Sequence, residues 1–150
     1  GLGVQETNGW ADRAWGHSEI ANPTLIAKQT AEGFGAGIGN GGGGGNRKGG
    51  DITITNARID ATPGYGAASI GFGCALRGTD MTGIKYEMGR ITLKGSTLQS
   101  LITREPNNGV CPAHIGGGSV AAGQYTVKEI YITPPEGLTA TEVFKDFGKI

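Results

Sequence analysis

Charge of either sign is scarce in this chain: Asp, Glu, Lys and Arg make up 17% of its 150 residues, against roughly 25% in an average domain. The 13 basic and 13 acidic residues cancel, which excludes a broad surface for nucleic acid or an anionic membrane. No apolar run approaches the ~20 residues that a bilayer-spanning helix needs. No secretory leader is visible and the first residue is Gly1 rather than Met, as expected of a processed or trimmed chain. The two histidines, His17 and His114, have no companion at metal-ligand spacing, and no metal or cofactor is implied. A phosphate-cradling loop is missing as well, because Lys48 is followed by Gly49 rather than Ser or Thr. Ser69 lacks the flanking glycines of a nucleophile elbow, so a Ser69–His114–Asp60 triad has no local support.

What the chain has instead is glycine, 30 residues of it, far above the usual ~7%. No strict triplet accompanies it and there are only six prolines, which excludes collagen. Isoleucine and leucine alternate with polar residues wherever glycine thins out, which argues against disordered filler. Two markers then recur. Ile52 and Ile54 reappear as Ile91 and Leu93, then as Ile130 and Ile132, with an identical step each time. Beside them runs a small-residue motif: Ala36-Gly-Ile38-Gly-Asn-Gly41, Ala68-Ser-Ile70-Gly-Phe-Gly73 and Ala113-His-Ile115-Gly-Gly-Gly118. Markers alternating in phase are the signature of a solenoid, each period forming one coil.

Within a coil, Asp51–Thr55 alternates polar and apolar residues as a half-buried strand does. Asn56-Ala57 turns the chain, Arg58–Thr62 is a second strand, Pro63-Gly64 breaks it, and Ala67–Gly73 is a third. Leu98 lies one full period beyond Ile59, which keeps the second strand in phase. The prediction is an all-β fold of about three coils over residues 34–133, as one domain. Asn40–Gly49, with its five consecutive glycines, reads as a loose linker, and Leu76–Met88 as an insertion. Residues 1–33 lie outside the repeat and are expected to cap one end, with Trp10, Trp15 and a short helix from Thr24 toward Ala31 capped by Asn22. Residues 134–150 are expected to cap the other, with an amphipathic helix after Thr139.

These motifs, with Gly50-Asp-Ile-Thr-Ile-Thr55, resemble the Gly-Ala-Gly-Ile-Gly-Gly-Gly repeats of bacterial secreted and surface proteins. The resemblance covers roughly residues 34–133 and departs at Leu76–Met88 and at His114. It implies a right-handed parallel β-helix of the pectate-lyase-like shape, an extracellular or cell-surface location, and a mostly non-catalytic role in adhesion or glycan contact.

Polysaccharide lyases of that shape use clustered aspartates for calcium with a basic residue beside them. Here Asp51 and Asp60 recur as Arg90 and Gln99, so no acidic ladder forms. A glycosidase would need paired carboxylates; Asp60, Asp80, Glu87 and Glu105 follow no joining spacing and read as surface charge. Cys74 and Cys111 flank two successive Ile-Gly strands and enclose the long insertion. A disulfide there would restrict the unfolded chain by ~3–4 kcal/mol and place the protein in an oxidising compartment; two buried thiols are the alternative. An ice-binding Thr-x-Thr ladder fails, because Thr53 and Thr55 are followed by Thr92 and Lys94, then Tyr131 and Thr133. Tyr65, Phe72, Tyr86, Tyr125 and Tyr131 are the candidate ligand-binding residues, since exposed aromatics beside Thr and Asn suit sugar rings. The expected partner is a glycan or a cell-surface protein, or a second copy in a homo-oligomer or fibre; neither nucleic acid nor a membrane span is expected. A carbohydrate-active enzyme with a loop-built site is the remaining alternative.

Overall fold

The computed structural model describes residues 2–4, 13–14, 18–21, 24–28, 33–42, 45–74, 83–100, 112–118 and 124–139. The strands in chain order are β1 (Leu2–Val4), β2 (Arg13–Ala14), β3 (Ser18–Ala21), β4 (Thr24–Lys28), β5 (Ile38–Asn40), β6 (Arg47–Gly49) and β7 (Ile52–Thr55). They continue as β8 (Arg58–Thr62), β9 (Ile70–Gly71), β10 (Lys85–Lys94), β11 (Thr97–Ser100), β12 (Ile115–Gly116) and β13 (Gln124–Thr133). Three sheets result. The first runs β1-β5-β9-β12 and the third β4-β8-β11, while the second stacks β2 and β3, then β6 and β7, then β10, then β13. Every pairing among the described residues is parallel. The arrangement is solenoid-like: the chain visits the sheets in the same order, one rung after another.

The constant period of the sequence fixes the register. Ile52, Ile91 and Ile130 are successive partners, as are Ile54, Leu93 and Ile132, and Ile59 pairs with Leu98. Ile38, Ile70 and Ile115 form the matching column of the first sheet. Burial alternates along β7 and β8, so the buried members of these columns meet in one core with Phe72, Tyr86 and Met88, against which Ile132 packs, while Ile130 at the end of its column is exposed. β-branched residues suit such strands, since their restricted χ1 costs little on a pleated surface.

Corners are built by residues that tolerate unusual backbone. Asn56 and Gly95, one period apart, turn with φ of 51° and 60°. Their amides donate upward, Asn56 N to Lys94 O at 2.7 Å and Gly95 N to Thr133 O at 2.8 Å. The buried Ser96 hydroxyl accepts from Ala57 N at 3.1 Å and lies 3.2 Å from the Lys94 carbonyl. In the first sheet Gly39, Gly71 and Gly116 hold φ of 127°, 135° and 122°, a region open to glycine alone. A Cβ on Gly39 would overlap the Gly71 backbone, and one on Gly71 the Gly116 carbonyl. Along β10 the inward residues are Tyr86 and Met88, then Ile91 and Leu93. The change of phase falls at Gly89, where a side chain would overlap the Asp51 carboxylate and Asp51 Oδ1 accepts from Arg90 N at 2.8 Å.

Several expectations are corrected. Thr24–Lys28 is not helical; it is a strand paired residue by residue with Arg58–Thr62. With β1, β2 and β3 it adds a rung within the segment expected to be an irregular cap. Lys85–Met88 is not part of an insertion, since it pairs with Gln124–Val127 and, through Tyr86–Met88, with Arg47–Gly49. Asn40 and Arg47–Gly49 are strand residues rather than linker. Of Ala67–Gly73 only Ile70–Gly71 is extended and paired as a strand. Trp10, Trp15, Ala31 and the expected helix beyond Thr139 lie outside the described residues.

Two substitutions test the register. Ile91→Asp puts a carboxylate in the column between Ile52 and Ile130 and is expected to cost about 4 kcal/mol or more. Gly71→Ala imposes both backbone strain and overlap with Gly116, at about 2 kcal/mol or more. Urea unfolding measures both; wild-type midpoints would refute the stacking.

Candidate interaction face

Of the five aromatics expected to face a ligand, the structure turns two fully inward. Phe72 and Tyr86 are 0% and 1% exposed and stack with centroids 5.7 Å apart. Tyr125 is tilted against both, at 5.4 Å and 5.0 Å. Phe72 and Tyr86 therefore belong to the core, where each aromatic removes far more apolar area from water than a surface position would. Tyr125 is half-buried, its hydroxyl 3.4 Å from the Gly73 carbonyl. Tyr65 lies edge-on against Phe34 at 5.8 Å and its amide donates to Gly33 O at 2.6 Å, so it covers a corner.

The sequence reading missed the column that seats these rings. Arg47, Tyr86 and Tyr125 are register partners, and the same period links them. Arginine and tyrosine look unrelated as letters, but the Arg47 guanidinium lies over the Tyr86 ring, 5.8 Å from its centroid. Arg47 is buried and donates to Gly42 O at 2.8 Å, Gly45 O at 3.0 Å and Asn46 O at 3.1 Å. It thus fastens both ends of the glycine run to the core. Gly42 itself has no room for a side chain, which would overlap the Cys74 carbonyl and Phe34.

Tyr131 remains outward, 51% exposed. It stands on the outer face of the second sheet in the column Glu19, Thr53, Thr92, Tyr131. Its ring is braced by Arg90, whose guanidinium carbon is 5.3 Å from the centroid. Arg90 is in turn oriented by Glu129: Nε and Nη2 both donate to Oε2 at 2.8 Å. Along the neighbouring column Lys48 and Glu87 approach to 3.9 Å, a solvent-exposed pair of small energetic weight. The face therefore offers one aromatic ring, threonine hydroxyls and a fixed arginine–glutamate pair.

The described residues show no comparable convergence in support of catalysis. Asp51 caps the Arg90 amide, Asp60 lies 3.9 Å from Lys28, and Ser69 is fully buried. Among the described residues no group of three or more His, Cys, Asp and Glu side chains comes together, and no helix is long and apolar enough to cross a membrane. Half-buried His114 has its pKa lowered by desolvation. Cys74 is buried; Cys111, His17, Asp80 and Glu105 lie outside the described residues.

Tyr125 gives a pH signature. Burial, and then the neighbouring Tyr86 and Cys74, push its pKa well above the ordinary 10.0. The folded chain holds this proton more tightly than the unfolded one, so the stabilisation is complete below pH ~10 and declines as pH rises beyond it. The urea midpoint is expected to fall above pH ~10, less steeply in Tyr125→Phe. Parallel declines in the two proteins would refute the assignment.

Compared with known proteins, the chain matches no family model, no curated sequence and no solved structure.

Proposed function

We propose that this chain is a non-catalytic, right-handed parallel β-helical domain that works outside the cell or at its surface and holds a glycan against the Tyr131 face. The parallel strands joined by crossovers favour the right-handed form, the common hand for such connections. The low content of charged residues in a glycine-rich strand repeat and the resemblance to glycine-rich surface repeats support the location.

The observation that carries the reading is the arrangement around Tyr131. A half-exposed ring supplies an apolar platform for a sugar face. Arg90, whose guanidinium lies over one face of that ring, and Glu129, already fixed to each other, supply oriented polar groups beside it with little further entropy to lose. The scaffold strands hold these groups in place, and Thr53 and Thr92 extend the polar surface along the same column.

Glycan-array binding, followed by titration of the strongest hit, tests this. Tyr131→Ala is expected to weaken binding about tenfold or more, a loss of ~1.4 kcal/mol, and Arg90→Ala to weaken it less. Failure to bind any glycan, or binding unchanged in Tyr131→Ala, would overturn the proposal.

A further inference from the structure

The rungs end differently from how they continue. Ile91 and Leu93, inside the stack, are 0% and 1% exposed, whereas Ile130, one rung further in the Ile91 column, is 38% exposed. Val127 and Ile132 are only partly buried, although their partners Met88 and Leu93 are buried. Among the described residues β13 pairs on one side only, with β10, and β12 only with β9. Among the described residues, the last rung thus presents a row of peptide groups and an apolar strip.

At the opposite end β1, β2 and β3 likewise pair on one side only among the described residues. Their register positions repeat the chemistry of the columns they head. Leu2 heads the column of Ile38, Ile70 and Ile115, and Gly3 that of Gly39, Gly71 and Gly116. Ile20 heads the column of Ile54, Leu93 and Ile132. Arg13 heads the column of Arg47, Tyr86 and Tyr125. Gly116 is the telling position. Gly39 and Gly71 share its backbone conformation, and each has the next rung's backbone where a Cβ would stand. Where a Cβ on Gly116 would stand there is no rung backbone; the nearest described atoms, Ala113 Cβ and Ile130 Cδ1, lie 4.0 Å away.

We infer that the last rung of this protein (β12 and β13) receives the first rung (β1, β2 and β3) of a second copy, head to tail, in the same parallel register. Such a junction sets Leu2 beside Ile115, Gly3 beside Gly116 and Ile20 beside Ile132. It also sets Arg13 at the register position next to Tyr125. Added strands give main-chain hydrogen bonds for affinity, and matched columns give register. A head-to-tail contact that continues the stacking axis does not bend round into a ring and therefore propagates into linear stacks. This goes beyond the glycan reading and does not use the outward Tyr131 ring.

Sedimentation velocity of the full-length protein over a range of concentrations tests the inference. Wild type is expected to form a growing series of oligomers. Ile130→Lys, which places a charge at the junction, is expected to raise the concentration for half-association about tenfold or more while melting like wild type. If the lysine variant melts early, Val127→Thr, nearly isosteric but polar, replaces it. The decisive arm mixes a minor share of Ile130→Lys with wild type. Its intact first rung should add to wild-type last rungs and halt growth, shortening the oligomers. Oligomers left unshortened by the variant would show last rungs meeting each other, and would overturn the inference. A monomer at every concentration would overturn it too, leaving the edge to the chain's own residues or to a foreign partner. Glycan binding by Tyr131 can survive either failure.

Discussion

Backbone hydrogen bonding between strands one period apart is the constraint from which the other features follow. A parallel strand satisfies its peptide groups only through neighbours above and below, because no hairpin partner is available. Once each rung lies over the last in register, like side chains are forced into columns. An inward column must then be apolar throughout, as Ile52, Ile91 and Ile130 are, since one polar member would lose its water without gaining a partner. Asn40 shows the exception: it is buried, and neither Oδ1 nor Nδ2 has a hydrogen-bond partner among the described residues.

The same stacking explains the glycine content. Rungs approach closely, and at Gly39 and Gly71, where φ is positive, a side chain would also collide with the next rung. Gly39 and Gly71 are needed on both counts. Gly42 is needed for space alone, and its carbonyl then serves the buried Arg47 guanidinium. Glycine here marks tight contact as much as loose chain.

That dual role separates what was legible in the sequence from what was not. The isoleucine columns were readable because chemically similar residues recur at one spacing, and the pairing follows that spacing. The Arg47–Tyr86–Tyr125 column keeps the same spacing, but its members interact by a guanidinium over a ring, which similarity of residue type does not reveal. Phe72 and Tyr86 were expected at the surface because they neighbour loops; the core turned out to extend into that corner. Thr24–Lys28 shows tertiary pairing overriding local helix signals: an N-cap and a proline favour a helical turn, but the edge of β8 offers a full set of hydrogen bonds. The Tyr131 face was anticipated only as one exposed ring, since the Arg90–Glu129 brace depends on residues in different rungs.

The central claim is that Ile52, Ile91 and Ile130 occupy successive parallel rungs. Isotope-edited NMR of the folded chain tests it most directly, through nuclear Overhauser contacts between backbone protons of neighbouring strands. Contacts from the Ile91 strand to the strands of Ile52 and Ile130, in the parallel pattern, are the predicted result. Close Hα–Hα contacts between β7 and β8, marking an antiparallel hairpin, would contradict it.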